Sequence, residues 1–312
     1  METPSLAQHS PSDPSPIQHY IQYIQLLVDQ GGPEPDEWGQ VNEWIASVVK
    51  SYTNNEISKY QLEEIRAVLA DAFSLETLQG YSFLKPHGYA GDYQIIDYMY
   101  TYHLSDNAML RKWDLFYQGH DTVKAVRNRK DYFKQWVLNK VSSIRGERLS
   151  ILNLASGPGR DIAELFTEHP GLPISITCVE MDTNAIKHAQ SLIPKEADVE
   201  FIQCNIFKFE PTRSYDLIWS AGLFDYFNDE AFQLILSRLL SCIYSGGEIA
   251  IGNFQPNHGT YYYLEFVEWH LFQRTSTQLI ELAKRCGVNQ ESIRIGSEPL
   301  GANLFLHIDL SC

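Results

Sequence analysis

From Ile17 onward apolar residues recur at helical spacing: Ile17, Tyr20, Ile21, Ile24 and Leu27 make one stripe, which stops at Gly31-Gly32-Pro33. Trp38, Val41, Trp44, Ile45 and Val48 make a second, with Asp36 placed to cap it. Ile57, Leu62, Ile65, Leu69 and Phe73 make a third across Glu56–Phe73. Beyond the loop Lys85-Pro86-His87-Gly88, the spacing predicts helices over Asp92–Tyr102 and Asp121–Ser143. Nothing in this half alternates with period two.

The pattern changes near Gly146. Short apolar runs at Ser150–Ala155, Ile174–Val179, Val199–Ile206, Tyr215–Ser220 and Gly247–Ile251 read as strands. Helical stretches such as Ala185–Ile193 and Glu230–Tyr244 separate them. That alternation specifies βαβ units and a parallel sheet, and Ser292–Ile295 with Leu304–Asp309 reads as a closing antiparallel hairpin. The expected organisation is a flexible Pro/Ser-rich tail (1–16), an all-helical cap or lid (17–145) and an α/β, Rossmann-like domain with a seven-stranded sheet (146–312).

Charge narrows the partners. Twenty-four Lys+Arg against 39 Asp+Glu give a net charge of −15, which argues against nucleic acid and against an anionic membrane surface. The chain shows no secretory leader and no apolar run long enough to insert in a bilayer. Its five cysteines are scattered and never in CxxC spacing, as expected of reduced thiols in a cytoplasmic protein. The 18 tyrosines concentrate at Tyr81–Tyr102 and Tyr261–Tyr263, which suggests an amphipathic pocket wall.

The chemistry starts at Asn153-Leu154-Ala155-Ser156-Gly157-Pro158-Gly159-Arg160-Asp161, where the first strand meets the first helix of the second half. Two glycines let a ligand approach the backbone, and the helix start offers free N–H groups. A dinucleotide fingerprint needs a third glycine where Ile162 stands, and a phosphate loop needs Gly-Lys-Ser/Thr, which is absent. A cofactor without phosphate, such as S-adenosylmethionine, needs only the narrow turn. Glu180-Met181 ends the second strand, placing an acid where ribose hydroxyls can donate to it. Asn205-Ile206 ends the third, with a polar group for an adenine amino group and an apolar one for its ring. Ala221-Gly222 follows the fourth and lines the far wall, at the sheet edge where α/β folds bind ligands.

This arrangement resembles the class I S-adenosylmethionine-dependent methyltransferases over residues 146–312. Asn153 stands at the family's usual acid and Ala155 at its first glycine. The segments Lys85–Tyr93, Ser220–Tyr226, Gly252–Asn257 and Glu265–Thr275 resemble one subgroup, which includes enzymes making 3-hydroxypalmitic acid methyl ester; that subgroup commonly has Arg where this chain has His87.

The resemblance implies methyl transfer to a carboxylate, of a hydroxy-fatty acid or a peptide C-terminus. A carboxylate is already ionised near neutral pH and needs no general base. Accordingly the chain shows no Ser/His/Asp triad and no metal-ligand cluster. The candidates for fixing the acceptor are His87, Tyr89, Tyr226, His258 and Arg274. Tyr89 and Asp92 flank a glycine-bearing loop expected to fold over the cofactor as a lid, with Asp92 capping the next helix or facing the sulfonium. The helical half is expected to form an acceptor pocket, a homodimer surface or a platform for a partner. Methylation of a hydroxyl or amine in natural-product biosynthesis, and a catalytically silent cofactor-binding protein, are the alternatives.

Overall fold

A computed structural model describes residues 17–143, 148–256 and 259–310; the tail 1–16 and His258 lie outside them. The first half is helical: α1 (Gln18–Asp29), α2 (Trp38–Thr53), α3 (Lys59–Ala67), α4 (Leu78–Leu84), α5 (Tyr93–Tyr100), α6 (Arg111–Gly119) and α7 (Asp121–Ser143), of which α4 and α6 were not expected from the periodicity. Asp36 does not cap α2. Glu37 precedes that helix without a side-chain cap, and its carboxylate instead accepts from the Glu34 N–H and the Gln30 amide. The stretch Glu56–Phe73 is broken: Ser58 and Gln61 form a capping box that starts α3 late, and a 3-10 turn takes over at Ala70.

The second half is a seven-stranded sheet of β1 (Leu149–Leu154), β2 (Ile174–Glu180), β3 (Val199–Gln203), β4 (Tyr215–Ser220), β5 (Ile243–Phe254), β6 (Ile293–Ser297) and β7 (Asn303–Asp309). The order is β3-β2-β1-β4-β5-β7-β6. β1 to β5 pair in parallel, and β7 enters antiparallel between β5 and β6, so the expected hairpin closes the sheet. The crossovers carry α8 (Arg160–Glu168), α9 (Thr183–Leu192) and α10 (Asp229–Leu240), and α11 (Tyr261–Phe266) and α12 (Ser276–Arg285) follow β5.

Two strand limits differ from expectation. β3 stops at Gln203 because the Asn205 side chain accepts from the Phe207 N–H and starts a 3-10 turn. β5 begins at Ile243, inside the segment read as helix, with the register to β4 shifting between Tyr215 and Leu217.

Packing crosses residue 146 in both directions. Phe133, Trp136 and Val137 of α7 share a core with β1, β2 and α8 on one face of the sheet. α10 and α12 cover the other face. Tyr263, Phe266 and Val267 return to the core of the helical half, beside Trp44, Phe73 and Phe116. The helices are thereby held over the carboxyl ends of the strands.

Candidate active site

The turn after β1 is tight and strained. Ala155, Gly157 and Gly159 all have positive φ, of 50°, 56° and 64°. The first of these is a non-glycine residue in a region that disfavours a Cβ. Around a Cβ built on Gly157 there is open space to 4 Å. At Gly159 a Cβ would meet that of Ala189 at 2.8 Å, so this glycine serves helix packing instead.

Glu180 joins the turn to the end of β2. Its carboxylate accepts from the Gly157 N–H at 3.0 Å, the Met181 N–H at 2.7 Å and the Asp182 N–H at 3.0 Å. A carboxylate has about four acceptor positions, so one is left for a ribose hydroxyl. The amide nitrogen of Asn153 is buried in the same wall without a hydrogen-bond partner. Together these fit a cofactor with a ribose and an amino-acid end.

A cavity of about 560 Å³ lies between this edge and the helices. Every expected cofactor residue lines it except Gly159 and Asp92. Asp92 is 1% exposed and caps α5, accepting from the Gln94 and Ile95 N–H groups; it does not face the sulfonium position. Tyr89 lines the cavity and donates its hydroxyl to Asp182 at 2.9 Å, tying the loop across the end of β2. Burial and the Asp182 hydrogen bond hold that phenol protonated well above its ordinary range.

The expected acceptor residues separate. Tyr226 lines the cavity, and its hydroxyl oxygen accepts from the Trp269 indole N–H at 2.9 Å. His87 instead lies in an open vestibule outside the cavity, with Asp182 and Asn184 and against the Tyr93 ring. Arg274 is only 3% exposed and does not reach the cavity. Its guanidinium binds Asp229, the Asn253 side chain and the carbonyls of Phe224 and Phe227, fastening the loops after β4 and β5. An internal cation saturated in this way cannot also greet a substrate.

Four charged residues line the cavity to which the sequence reading gave no site role: Arg129, Asp161, Asp225 and Glu268, the last paired with Arg66. Arg129 sits three residues after Val126 and four before Phe133, on the buried face of α7, and an arginine inside an apolar stripe was the available signal. Burial pushes Asp161 up to about 6 and Asp225 up to about 7. Asp225 accepts from the Asn253 amide and the Phe254 N–H through one oxygen. Away from the strands the cavity becomes an apolar chamber walled by Ile96, Met99, Val123, Val126, Leu264 and Val267.

Residues 151–247 match the family model of the methyltransferase domain. No curated protein matches the chain. A possible exported protein from Bordetella parapertussis is similar in structure over 98% of this chain and 100% of its own, at 14% identity and a TM-score of 0.64. The plantazolicin methyltransferase BpumL, solved with S-adenosylhomocysteine, is 14% identical over 77% of this chain and 96% of its own, with a TM-score of 0.49. Magnesium protoporphyrin IX methyltransferase from Synechocystis, also solved with S-adenosylhomocysteine, is 13% identical over 69% and 97%, with a TM-score of 0.48. The family match makes residues 151–247 a methyltransferase domain, and the sheet order with the site at its carboxyl edge is the α/β, Rossmann-like arrangement. The protein is an enzyme that uses S-adenosylmethionine as its cofactor.

Proposed function

We propose that the protein forms a methyl ester on the carboxylate of an apolar acid, a hydroxy-fatty acid or the C-terminus of an apolar peptide. One observation carries this reading: the chamber joined to the cofactor edge is apolar, and the phenol at its mouth is a proton donor rather than a base. Tyr226 already accepts from Trp269, and burial holds its own proton firmly. Its O–H is therefore free to donate to an acceptor oxygen. S-adenosylmethionine supplies an electrophilic methyl group. A carboxylate oxygen forms the new O–C bond with its own electron pair as the C–S bond breaks, and no proton has to leave. The chain's work is alignment and exclusion of water, which the helices over the strand ends and the Tyr89 loop perform.

Asp225 favours a second reading. A buried carboxyl held at about 7 on the cavity wall suits a general base for a hydroxyl acceptor. Asp225→Asn separates the two, because an amide oxygen can keep the hydrogen bonds from Asn253 and Phe254. With S-adenosylmethionine saturating, ester formation predicts a kcat within about threefold of wild type and a flat profile between about pH 6 and 8, since the acceptor's own carboxyl titrates below about 5. A loss of about 10²-fold or more, with wild-type activity falling below about pH 7, would establish the hydroxyl reading instead.

A further inference from the structure

Arg129 is 6% exposed and lines the cavity. A guanidinium has five donor hydrogens. Here the Tyr100 side chain bonds it, its Nε has no partner, and among the described residues no carboxylate forms a salt bridge with it. A buried arginine so lightly satisfied is costly unless something else completes it.

Its position says what. A Cβ on Gly222 would stand 2.6 Å from one guanidinium nitrogen, so the group rests on the backbone just past β4. The charges that act on it are Asp225, from the same loop, and Asp161, from the first turn of α8. These surroundings lie between the turn after β1 and the end of β4. The amino-acid end of the cofactor fits that gap, beside the Gly157 turn and the unpartnered Asn153 amide. This end carries one carboxylate, one ammonium and the adjacent sulfonium. One buried cation between two buried acids matches that pattern sign for sign. A lone acceptor carboxylate would bring a negative charge toward two more and add no positive group to offset them.

We propose that Arg129 anchors the carboxylate of the cofactor's methionine part, so that α7 of the helical half completes the cofactor site of the sheet. Gly222 is then required because any side chain there would occupy the place of the guanidinium. Arg129 is a binding residue that fixes the sulfonium's distance from the chamber without taking part in bond making.

The test is calorimetric titration of the full-length protein and of Arg129→Met and Arg129→Lys with S-adenosylhomocysteine and with 5′-methylthioadenosine, which lacks the amino acid. The inference rests on the cofactor reading, and wild-type binding of both ligands checks that reading separately. We expect Arg129→Met to weaken S-adenosylhomocysteine by about tenfold or more, the range for a lost charge-assisted hydrogen bond. Binding of 5′-methylthioadenosine should stay within about twofold of wild type, and Arg129→Lys should recover part of the loss. Equal weakening of both ligands would overturn the inference in favour of a structural role. So would unchanged binding of both ligands with a raised acceptor KM, which would move Arg129 to the acceptor. If the Met variant does not fold, the Lys variant gives the same comparison, because a shorter point charge should still lower S-adenosylhomocysteine affinity selectively.

Discussion

Gly91 couples the Tyr89 loop to the acceptor position, and Gly91→Ala measures that coupling. Gly91 has φ +69°, and a Cβ there would stand 2.4 Å from the Tyr226 hydroxyl and 3.0 Å from the Trp269 ring. The hydroxyl is not a loose end, because the Trp269 N–H holds it at 2.9 Å. Two costs add. The left-handed backbone costs an alanine about 1–2 kcal/mol, and forcing the ring aside costs about 1–3 kcal/mol more. Gly88 supplies the control: its φ is +86°, and a Cβ there would meet nothing within 4 Å. Gly88→Ala should therefore cost about 1–2 kcal/mol, and Gly91→Ala about 2–5 kcal/mol. In a Tyr226→Phe background the nearest obstacle is gone, and the excess at Gly91 should shrink by about 1 kcal/mol or more. Urea denaturation of the four proteins of the cycle, with Gly88→Ala alongside, reads these values directly. Equal penalties at Gly88 and Gly91, or a Gly91 penalty indifferent to Tyr226, would refute the contact.

Ala155→Gly should raise unfolding stability by about 0.5–1 kcal/mol, because relief of the positive φ exceeds the entropy a glycine adds; a loss on thermal or urea unfolding would contradict it. Tyr89→Phe removes the hydrogen bond to Asp182 and should weaken S-adenosylhomocysteine binding by about three- to tenfold in a titration, with little change in unfolding stability. Glu248, 1% exposed in β5, is pushed up by burial, but hydrogen bonds from His307 and Lys140 outweigh this and hold it at about 2 against its ordinary 4.5. The difference corresponds to stability on the order of 3 kcal/mol. Because the folded-state value is the lower one, that stability is fully present above about pH 4.5 and is lost as the pH falls toward 2. Denaturation of wild type and Glu248→Gln across that range should show the gap closing; a constant gap would refute the linkage.

Much of this molecule is legible in the residues because local and global signals agree. The strands β1, β2, β4 and β7 are apolar runs buried on both faces, and turn residues mark the carboxyl ends where the site forms. Glu180, Gly157 and Ala221 could be placed there from topology alone. The short helices were harder. α4, α6, α11 and α12 were not predicted, although the Thr275-x-x-Gln278 box and the Leu279, Leu282, Ala283 spacing were available signals for α12. Side-chain roles that depend on distant partners could not be read. Arg274 looked like a substrate cation, but its partners Asp229 and Asn253 become neighbours only when β5 lies beside β4. Arg129 was given no role from the sequence, because its place in the cavity wall follows only from α7 lying against the sheet. Asp92 was identifiable as a cap, and capping is the role it performs.

The ester reading is tested most directly by incubating the enzyme with methyl-labelled S-adenosylmethionine and a series of apolar hydroxy-acids and peptides, then treating the products with mild alkali. It predicts label transferred to an acid and released by alkali as volatile methanol, with transfer abolished when the acid is supplied as its preformed ester. Label that survives alkali, as in an ether or an N-methyl group, would contradict it.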